Sequence, residues 1–312
     1  MSQPAFESQA ARRSELAVPG NNPRFIAKAA ASDADLVFLD LEDAVPPAER
    51  AAARQCIVEG LRAHDWRGKL RAVRVNPTTS PAFYEDVIGV VEGAGAHIDV
   101  IILPKVNQPG DVYMLDMLLR QIEGKLGLPQ RITIEAQIET ALGMRNVEQI
   151  ATASPRLTAL TFGPGDFAAD LGVPLLAIGG ELPEYPGHLW HAALSRLVVA
   201  ARAAGLLVID GPYGAYRDRD GLLRSARLAR ALGCDGKWAI HPDQIAPINE
   251  VFTPTPAEVQ RAQALIARYE TALAAEARGA VAHDQEMIDA ASLRMARRIL
   301  ARAAAQRQEP AP

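Results

Sequence analysis

Short apolar segments alternate with longer helix-patterned segments from about residue 16 to residue 250, and this alternation limits the possible folds more than any other feature. It gives eight candidate strands, at residues 16–18, 36–41, 72–75, 100–103, 132–138, 157–162, 207–209 and 237–240. Such alternation produces parallel strands joined by crossover helices. Eight units over ~250 residues predict an α/β fold, a closed (β/α)8 TIM barrel. An open doubly wound sheet is the rival, but no Gly-x-Gly-x-x-Gly fingerprint follows the first strand.

The carboxyl ends of the predicted strands carry polar or turn-forming residues, which favours the closed barrel. In chain order these residues are Pro19-Gly20, Asp40, Glu42, Asp43, Arg74, Asn76, Lys105, Glu139, Asp166, Asp210 and His241. Active sites of (β/α)8 barrels lie at this end of the strands, so polar side chains are expected to gather there. Inside the barrel they can satisfy one another or a ligand, whereas under the helices they would be buried without partners.

Glu139 and Asp166 form a candidate site for a divalent cation. Each carboxylate lies where a strand gives way to a loop, and the two strands are consecutive in the predicted barrel. Mg²⁺ ordinarily takes one or two protein carboxylates and leaves its other positions to water and substrate oxygens. We therefore expect Mg²⁺ here, with Mn²⁺ as a substitute. Ordinary surface or salt-bridged carboxylates are the alternative.

The barrel is expected to end near Phe252, because Thr253-Pro-Thr-Pro256 interrupts regular structure. Thr255 and Glu258 fit a capping box, which predicts a helix over residues 256–277, and a last helix is predicted over 290–305. The chain is thus divided into a catalytic barrel, residues 1–253, and a helical extension, residues 254–312. We expect the extension to act as a lid that excludes water from the active site. A tail packed on the barrel or on a second subunit is the alternative.

Composition excludes several classes of protein. The 312-residue chain is 49% hydrophobic with a net charge of −4, which argues against a nucleic-acid-binding surface. Its apolar runs are too short to span a membrane, and the first fifteen residues lack the apolar core of a signal peptide. Two cysteines cannot form a disulfide framework, so we expect a cytoplasmic protein.

Several stretches at the predicted strand ends form a combination of motifs that is more specific than any one of them. They are Val18-Pro-Gly-Asn-Asn-Pro-Arg24, Phe38-Leu-Asp-Leu-Glu-Asp-Ala-Val45, Val73-Arg-Val-Asn76, Leu103-Pro-Lys105, Ile138-Glu139, Phe162-Gly-Pro-Gly-Asp166 and Gly236-Lys-Trp-Ala-Ile-His-Pro242. Together they resemble the citrate lyase β-subunit-like (HpcH/HpaI aldolase) family. Within that family the malyl-CoA lyases are the most similar, through Asp166-Phe-Ala-Ala-Asp-Leu-Gly172 and Asp210-Gly-Pro-Tyr-Gly214.

The resemblance implies a Mg²⁺-dependent barrel that acts on coenzyme A thioesters of 3-hydroxy dicarboxylic acids. Such enzymes break or form a carbon–carbon bond between an acyl-CoA and a small 2-oxo acid such as glyoxylate. A homotrimer or homohexamer is implied by the resemblance alone. The segment between Gly172 and Trp190 is shorter than expected for a malyl-CoA lyase, and this leaves the substrate open.

The resemblance also assigns roles around the expected cation. Glu139 and Asp166 match its ligands, and Arg74 matches the residue that binds the carboxylate of the oxo acid. A planar guanidinium suits that task, although a buried ion pair with Glu42 or Asp43 is the alternative. Glu42 and Asp43 match acids that hold metal-bound waters. A helix cap is the competing interpretation of Asp43.

The resemblance also assigns roles to three residues outside the strand ends, Arg24, Lys28 and Asp289. Arg24 and Lys28, four apart on the first predicted helix, match basic residues near the phosphates of coenzyme A, against an ordinary solvated basic face. Asp289 matches an acid that the C-terminal segment delivers to a neighbouring subunit's active site; an N-cap is its alternative. Lys105 could pair with Glu42 or Asp43 or contact the substrate.

Other activities remain open. Citramalyl-CoA lyase, malyl-CoA thioesterase and a citrate lyase β subunit are the nearest rivals. A CoA-independent aldolase for 2-oxo acids would lack a basic patch for coenzyme A, and Arg24 and Lys28 disfavour it. A non-catalytic CoA-binding barrel would require that Glu139, Asp166 and Arg74 fail to converge.

Overall fold

Eight parallel strands close into a barrel in the computed structural model of the chain, which describes residues 11–66, 68–128, 132–180, 182, 187–276, 281–283 and 286–305. The strands are Ser14–Pro19 (β1), Leu36–Asp40 (β2), Leu70–Arg74 (β3), Val100–Leu103 (β4), Thr133–Ile138 (β5), Leu157–Phe162 (β6), Leu207–Asp210 (β7) and Gly236–Ala239 (β8). Each pairs with the next along the chain, and β8 pairs with β1. The predicted closed barrel is confirmed.

Helices connect the strands, as the sequence pattern predicts. Those of the barrel are Pro23–Ala30 (α1), Arg50–Ala63 (α2), Ala82–Ala94 (α3), Pro109–Leu126 (α4), Ala141–Arg145 (α5), Val147–Ile150 (α6), Pro164–Asp170 (α7), His191–Ala204 (α8), Arg219–Leu232 (α9) and Ile245–Phe252 (α10). Local chemistry sets their ends: Gln108 and Asp111 form a capping box at the start of α4, and Gly127 ends it in the left-handed conformation. None of the helices in the described part of the chain combines the length and apolar character of a membrane span.

The residues after Phe252 belong to a second compact unit. It contains the helices Pro256–Glu276 (α11) and Ala290–Ala305 (α12), and the short antiparallel strands Val281–His283 (β9) and Glu286–Ile288 (β10). The predicted capping box is present, since Thr255 Oγ1 accepts the Glu258 N–H and the Glu258 carboxylate accepts the Thr255 N–H. The C-terminal helices are thus confirmed, whereas their role as a lid stays a prediction.

Buried polar side chains fill part of the barrel interior. Arg12 donates to Glu15 of β1 and to Glu135 of β5, strands that lie opposite each other in the eight-stranded barrel. Glu15 also accepts the indole N–H of Trp238, and Glu135 accepts the hydroxyl of Thr161. These pairings satisfy polar groups that burial would otherwise penalise, and they tie β1, β5, β6 and β8 together across the interior.

Closure of the barrel requires a glycine at the start of β8. A Cβ atom at Gly236 would lie 1.9 Å from the carbonyl oxygen of Arg12 and 2.7 Å from that of Arg13. Both contacts are with backbone that cannot turn away, because Lys237 N–H donates to Arg13 O at this edge. The seam between β8 and β1 is therefore too closely packed at position 236 to take a side chain without strain.

We predict that Gly236→Ala lowers the free energy of unfolding by about 2 kcal/mol or more, because the added methyl group overpacks a backbone contact. Gly124→Ala is the matched control: its Cβ would meet nothing within 4 Å on the exposed side of α4, so it should stabilise by about 0.5 kcal/mol. Urea denaturation of the three proteins measures both changes. Equal stability of Gly236→Ala and the wild-type protein would contradict the seam contact.

Candidate active site

Arg74, the last residue of β3, is paired with Asp40, the last residue of β2. The two are register partners, and the guanidinium donates to both carboxylate oxygens of Asp40 at 2.7 Å. Its third nitrogen lies 3.0 Å from Glu42 and 3.3 Å from Asp43. Burial alone would lower the pKa of Arg74, but these carboxylates outweigh it and raise the pKa. The ion-pair alternative for Arg74 is thus present, and its role toward an oxo acid stays a prediction.

Lys105 is the residue that most of the acids contact. Its Nζ lies 2.5 Å from Glu42, 3.4 Å from Asp166 and 3.9 Å from Asp43. Its backbone N–H donates to Glu139 Oε1 at 2.8 Å. Within the described residues it is the one non-glycine with a positive φ, +50°, a conformation that only a few per cent of such residues adopt. The sequence left its partners open, and the structure identifies them as acids.

Glu139 follows β5 and is almost completely buried. Its Oε1 accepts the Lys105 N–H, and its Oε2 accepts the side-chain amide of Gln137. A Cβ at Gly163 would lie 2.3 Å from Oε2, so the carboxylate occupies space that only glycine leaves free. Burial, followed by the negative charges of Glu42 and Asp166, raises the pKa of Glu139 well above its usual range despite Lys105 and Arg74. The positive charges of Lys105 and Arg74 thus only partly offset the burial of this carboxylate and its acidic neighbours.

Asp166 lies in the first turn of α7, directly after β6. Its side chain is 42% exposed and faces the ammonium of Lys105. Glu42 is buried at 6%, and burial raises its pKa, while Asp43 is 60% exposed. The structure thus brings Glu42, Asp43, Glu139 and Asp166 around one lysine. We call these four acids, with Asp40, the acid cluster.

The acid cluster fits a divalent cation. Its five carboxylates meet two cationic side chains, Arg74 and Lys105, which leaves three negative charges uncompensated when all are ionised. The buried Oε1 of Gln137, next to Glu139, has no hydrogen-bond partner among the described residues. No three His, Cys, Asp or Glu side chains in the described ranges are placed to hold a metal together. The two acids predicted from the sequence, Glu139 and Asp166, would supply two carboxylates. That number and the oxygen chemistry suit Mg²⁺.

An open cleft of about 570 Å³ lies beside the acid cluster. Glu42, Asp43 and Lys105 line one part of it, and Arg50, Asn76 and Ser80 line another. Small polar ligands therefore have access to the carboxylates from solvent. The buried Asn76 is fixed by Asp86, which accepts both its backbone and its side-chain N–H.

Three further candidate residues, Arg24, Lys28 and Asp289, are described by their own surroundings. Arg24 and Lys28 lie exposed on α1, which starts at Pro23 and is capped by Asn22. Asp289 caps α12, accepting the backbone N–H groups of Ala291 and Ser292 at 2.9 Å. The backbone hydrogen bond from Ser292 lowers the pKa of Asp289. Asp289 therefore makes the contacts of the N-cap alternative, and its proposed catalytic role, like the coenzyme A role of Arg24 and Lys28, stays a prediction.

Two strand-end residues from the predicted series have partners of their own. Asp210 pairs with the buried Lys237, and His241 stacks on Tyr216 with 4.9 Å between the ring centroids. The sequence did not identify Asp40 as the partner of Arg74 or Gln137 as the partner of Glu139. Two sequence features could have predicted these pairings. Asp40 lies at the end of β2, and the two-residue spacing places Gln137 on the same face of the strand as Glu139.

The chain is similar in sequence to known lyases. The profile of the HpcH/HpaI aldolase/citrate lyase family matches residues 13–242. The L-malyl-CoA/beta-methylmalyl-CoA lyase of Cereibacter sphaeroides is 41% identical over 300 residues, 93% of this chain and 94% of that protein. The malyl-CoA/beta-methylmalyl-CoA/citramalyl-CoA lyase of Chloroflexus aurantiacus is 35% identical over 76% of this chain and 72% of its own.

A solved structure covers both units. It is the CitE protein of Mycobacterium tuberculosis in complex with magnesium, acetoacetate and coenzyme A. The TM-score is 0.75 and the sequence identity 27%, over 95% of this chain and 99% of that one. All of the candidate site residues of the barrel lie within the range that the family profile matches.

We predict that Glu139→Gln raises the thermal stability of the protein at pH 8 in the presence of a chelator. The pKa of Glu139 is higher in the folded protein than its ordinary value of 4.5. Protonated Glu139 therefore stabilises the folded protein at low pH, and this stabilisation is lost as the pH rises through the pKa of the folded state. Glutamine avoids that loss. The gain in melting temperature should therefore shrink as pH falls toward 4.5.

Glu148→Gln is the matched control for this titration. Glu148 is exposed, and its hydrogen bond with Arg196 lowers its pKa, so the substitution should slightly destabilise at pH 8 or have no effect. Scanning calorimetry from pH 5 to pH 8 gives both profiles. A Glu139→Gln protein that is less stable than wild type at pH 8 would show that the cluster favours the ionised carboxylate.

Proposed function

The chain belongs to the HpcH/HpaI aldolase/citrate lyase family, as its motifs predicted, and we propose that it is a Mg²⁺-dependent coenzyme A-ester lyase. It would cleave or form the carbon–carbon bond of a malyl-CoA-type 3-hydroxyacyl-CoA. The two products would be an acyl-CoA and a 2-oxo acid such as glyoxylate. The 41% identity to a lyase of this name supports the proposal.

One structural observation carries the proposal. Acids that follow β2, β5 and β6 meet around Lys105 beside an open cleft, at the carboxyl ends of the strands. This is the end at which active sites of such barrels lie. A surplus of negative charge there favours the binding of a cation, and a reaction that develops negative charge on oxygen can use one.

Glu139 and Asp166 would hold the ion, and Mn²⁺ could replace Mg²⁺. When bound, the ion supplies Lewis-acid polarisation of the oxo-acid carbonyl. Arg74 would bind the carboxylate of the oxo acid through the nitrogen that faces Glu42 and Asp43. Glu42 and Asp43 would orient water molecules of the ion, because two further direct carboxylates would exceed what Mg²⁺ takes.

Cleavage requires the loss of a proton at one end of the broken bond and the gain of a proton at the other. The 3-hydroxyl group loses its proton as its carbon becomes the carbonyl of the oxo acid, and the electron pair of the bond passes to the thioester as an enolate. That enolate then takes a proton at carbon to give the acyl-CoA. Asp289 is proposed to carry this proton to a neighbouring subunit's site in a homotrimer or homohexamer, and the family resemblance supports that role.

The substrate class is proposed at the level of coenzyme A esters and small acids. Arg24 and Lys28 are exposed on α1, the helix that follows the carboxyl end of β1, and they would bind the phosphates of coenzyme A. A second candidate is citramalyl-CoA cleavage to pyruvate, which the name of the Chloroflexus aurantiacus relative favours. The enzyme is proposed to work in the cytoplasm, on small molecules and without nucleic acid or membrane.

We predict that the wild-type protein releases a 2-oxo acid from malyl-CoA, beta-methylmalyl-CoA or citramalyl-CoA when Mg²⁺ is present, and that Glu139→Ala or Asp166→Ala abolishes turnover. Asp220→Ala, which changes an acid of α9 outside the cluster, should keep full activity. Chromatography of the products distinguishes acyl-CoA plus oxo acid from the free coenzyme A that a thioesterase would release. Unchanged activity in either cluster variant would contradict the assigned metal ligands.

A separate prediction distinguishes the two roles of Asp289. Asparagine is as good an N-cap as aspartate but cannot transfer a proton, so Asp289→Asn should keep the melting temperature and lower kcat by about a hundredfold or more. Asp289→Ala should lower both. Steady-state kinetics and thermal unfolding measure the two quantities. Full activity in Asp289→Asn would leave the residue as a helix cap alone.

A further inference from the structure

We propose that Lys105 is a positioning residue whose ammonium group acts as a tethered counter-ion of the acid cluster and competes with the divalent cation for the same carboxylates. The inference rests on the proposed function, because it assumes that Glu139 and Asp166 bind a cation. It adds that the affinity of the site for this cation is set by a charge on the protein itself. Removal of the ammonium should therefore tighten metal binding.

The contacts of the side chain carry the first step. Nζ of Lys105 is within 4 Å of three carboxylates, from Glu42, Asp43 and Asp166. Asp166 is one of the two proposed metal ligands, and Glu42 is among the groups proposed to hold water molecules of the ion. Hence the lysine and the divalent cation would both draw on Asp166 and Glu42.

The backbone of the same residue has a separate task. The N–H group of Lys105 donates to Glu139, the other proposed ligand, from a residue with φ of +50°. This interaction depends on the main chain and does not need the ammonium. Methionine and arginine at position 105 would face the same left-handed strain as lysine, so their comparison isolates the effect of the charge.

Charge decides whether the side chain strengthens or weakens metal binding. A positive group a few ångströms from a divalent cation repels it, and the repulsion is poorly screened because Glu42 and Glu139 are buried. The opposing effect is that Lys105 orders carboxylates for the metal. Two of the three acids near the ammonium, Glu42 and Asp43, also pair with Arg74, so their ordering depends little on the ammonium. Repulsion should therefore dominate.

The test compares Mn²⁺ affinity, measured by electron paramagnetic resonance, in the wild-type protein, Lys105→Met, Lys105→Arg and Lys125→Met. Lys125→Met is the matched control, because Lys125 of α4 forms a surface ion pair with Glu92 of α3, and neither residue belongs to the acid cluster. We expect Lys105→Met to bind Mn²⁺ at least about tenfold more tightly, and the other two proteins to stay within about threefold of wild type. Affinity that is unchanged or weaker in Lys105→Met would overturn the proposal.

Thermal unfolding supplies a second readout. With a chelator present, Lys105→Met should melt at a lower temperature than Lys105→Arg, and saturating Mg²⁺ should remove that difference, since the metal then compensates the carboxylates. A difference that Mg²⁺ leaves unchanged would contradict the counter-ion role.

Lys105→Gln replaces Lys105→Met in both measurements if Lys105→Met does not fold. If the wild-type protein binds no Mn²⁺ at millimolar concentration, both the proposed function and this inference fail. If the wild-type protein binds Mn²⁺ but Lys105→Met binds it no more tightly, only this inference fails.

Discussion

Uncompensated negative charge at the carboxyl ends of β2, β5 and β6 is the constraint on which the proposed site depends. Burial makes ionised carboxylates costly, and like charges a few ångströms apart add to that cost. Arg74 and Lys105 offset part of the charge, and Glu139 still has a raised pKa. A fold retains such an arrangement where the charge has a use, and binding a hard cation is the use that oxygen ligands favour.

The barrel supplies the rigidity that this charge requires. β2 and β3 end on the register pair Asp40 and Arg74, so their ion pair is fixed by sheet hydrogen bonds. The buried pairings of Arg12 connect strands on opposite sides of the interior. Gly163 and Gly236 mark places where the chain leaves no room for a side chain, one against Glu139 and one at the seam of closure. These contacts hold in place the strands that carry the charged side chains.

Family membership and site geometry both support a lyase. The profile match covers residues 13–242 and the 41% identity extends over 93% of the chain, whereas the acid cluster comes from a few side chains in space. The second unit, with α11 and α12, extends past the profile match at residue 242, yet the Mycobacterium tuberculosis structure covers 95% of the chain. The alignment with a protein that was solved with magnesium and coenzyme A therefore extends into the residues after the barrel.

The sequence by itself determined the barrel, the order of its strands and the acids at their ends, because strand–helix alternation and hydrophobic pattern are local properties. It also located Glu42, Asp43, Arg74, Glu139 and Asp166. Only the tertiary structure decided which groups meet. Asp40 pairs with Arg74, Gln137 donates a hydrogen bond to Glu139, and the Lys105 ammonium contacts three acids. Strand register and the left-handed φ of Lys105 fix the pairings of Asp40 and of Lys105, which join residues dozens of positions apart for which no local pattern exists.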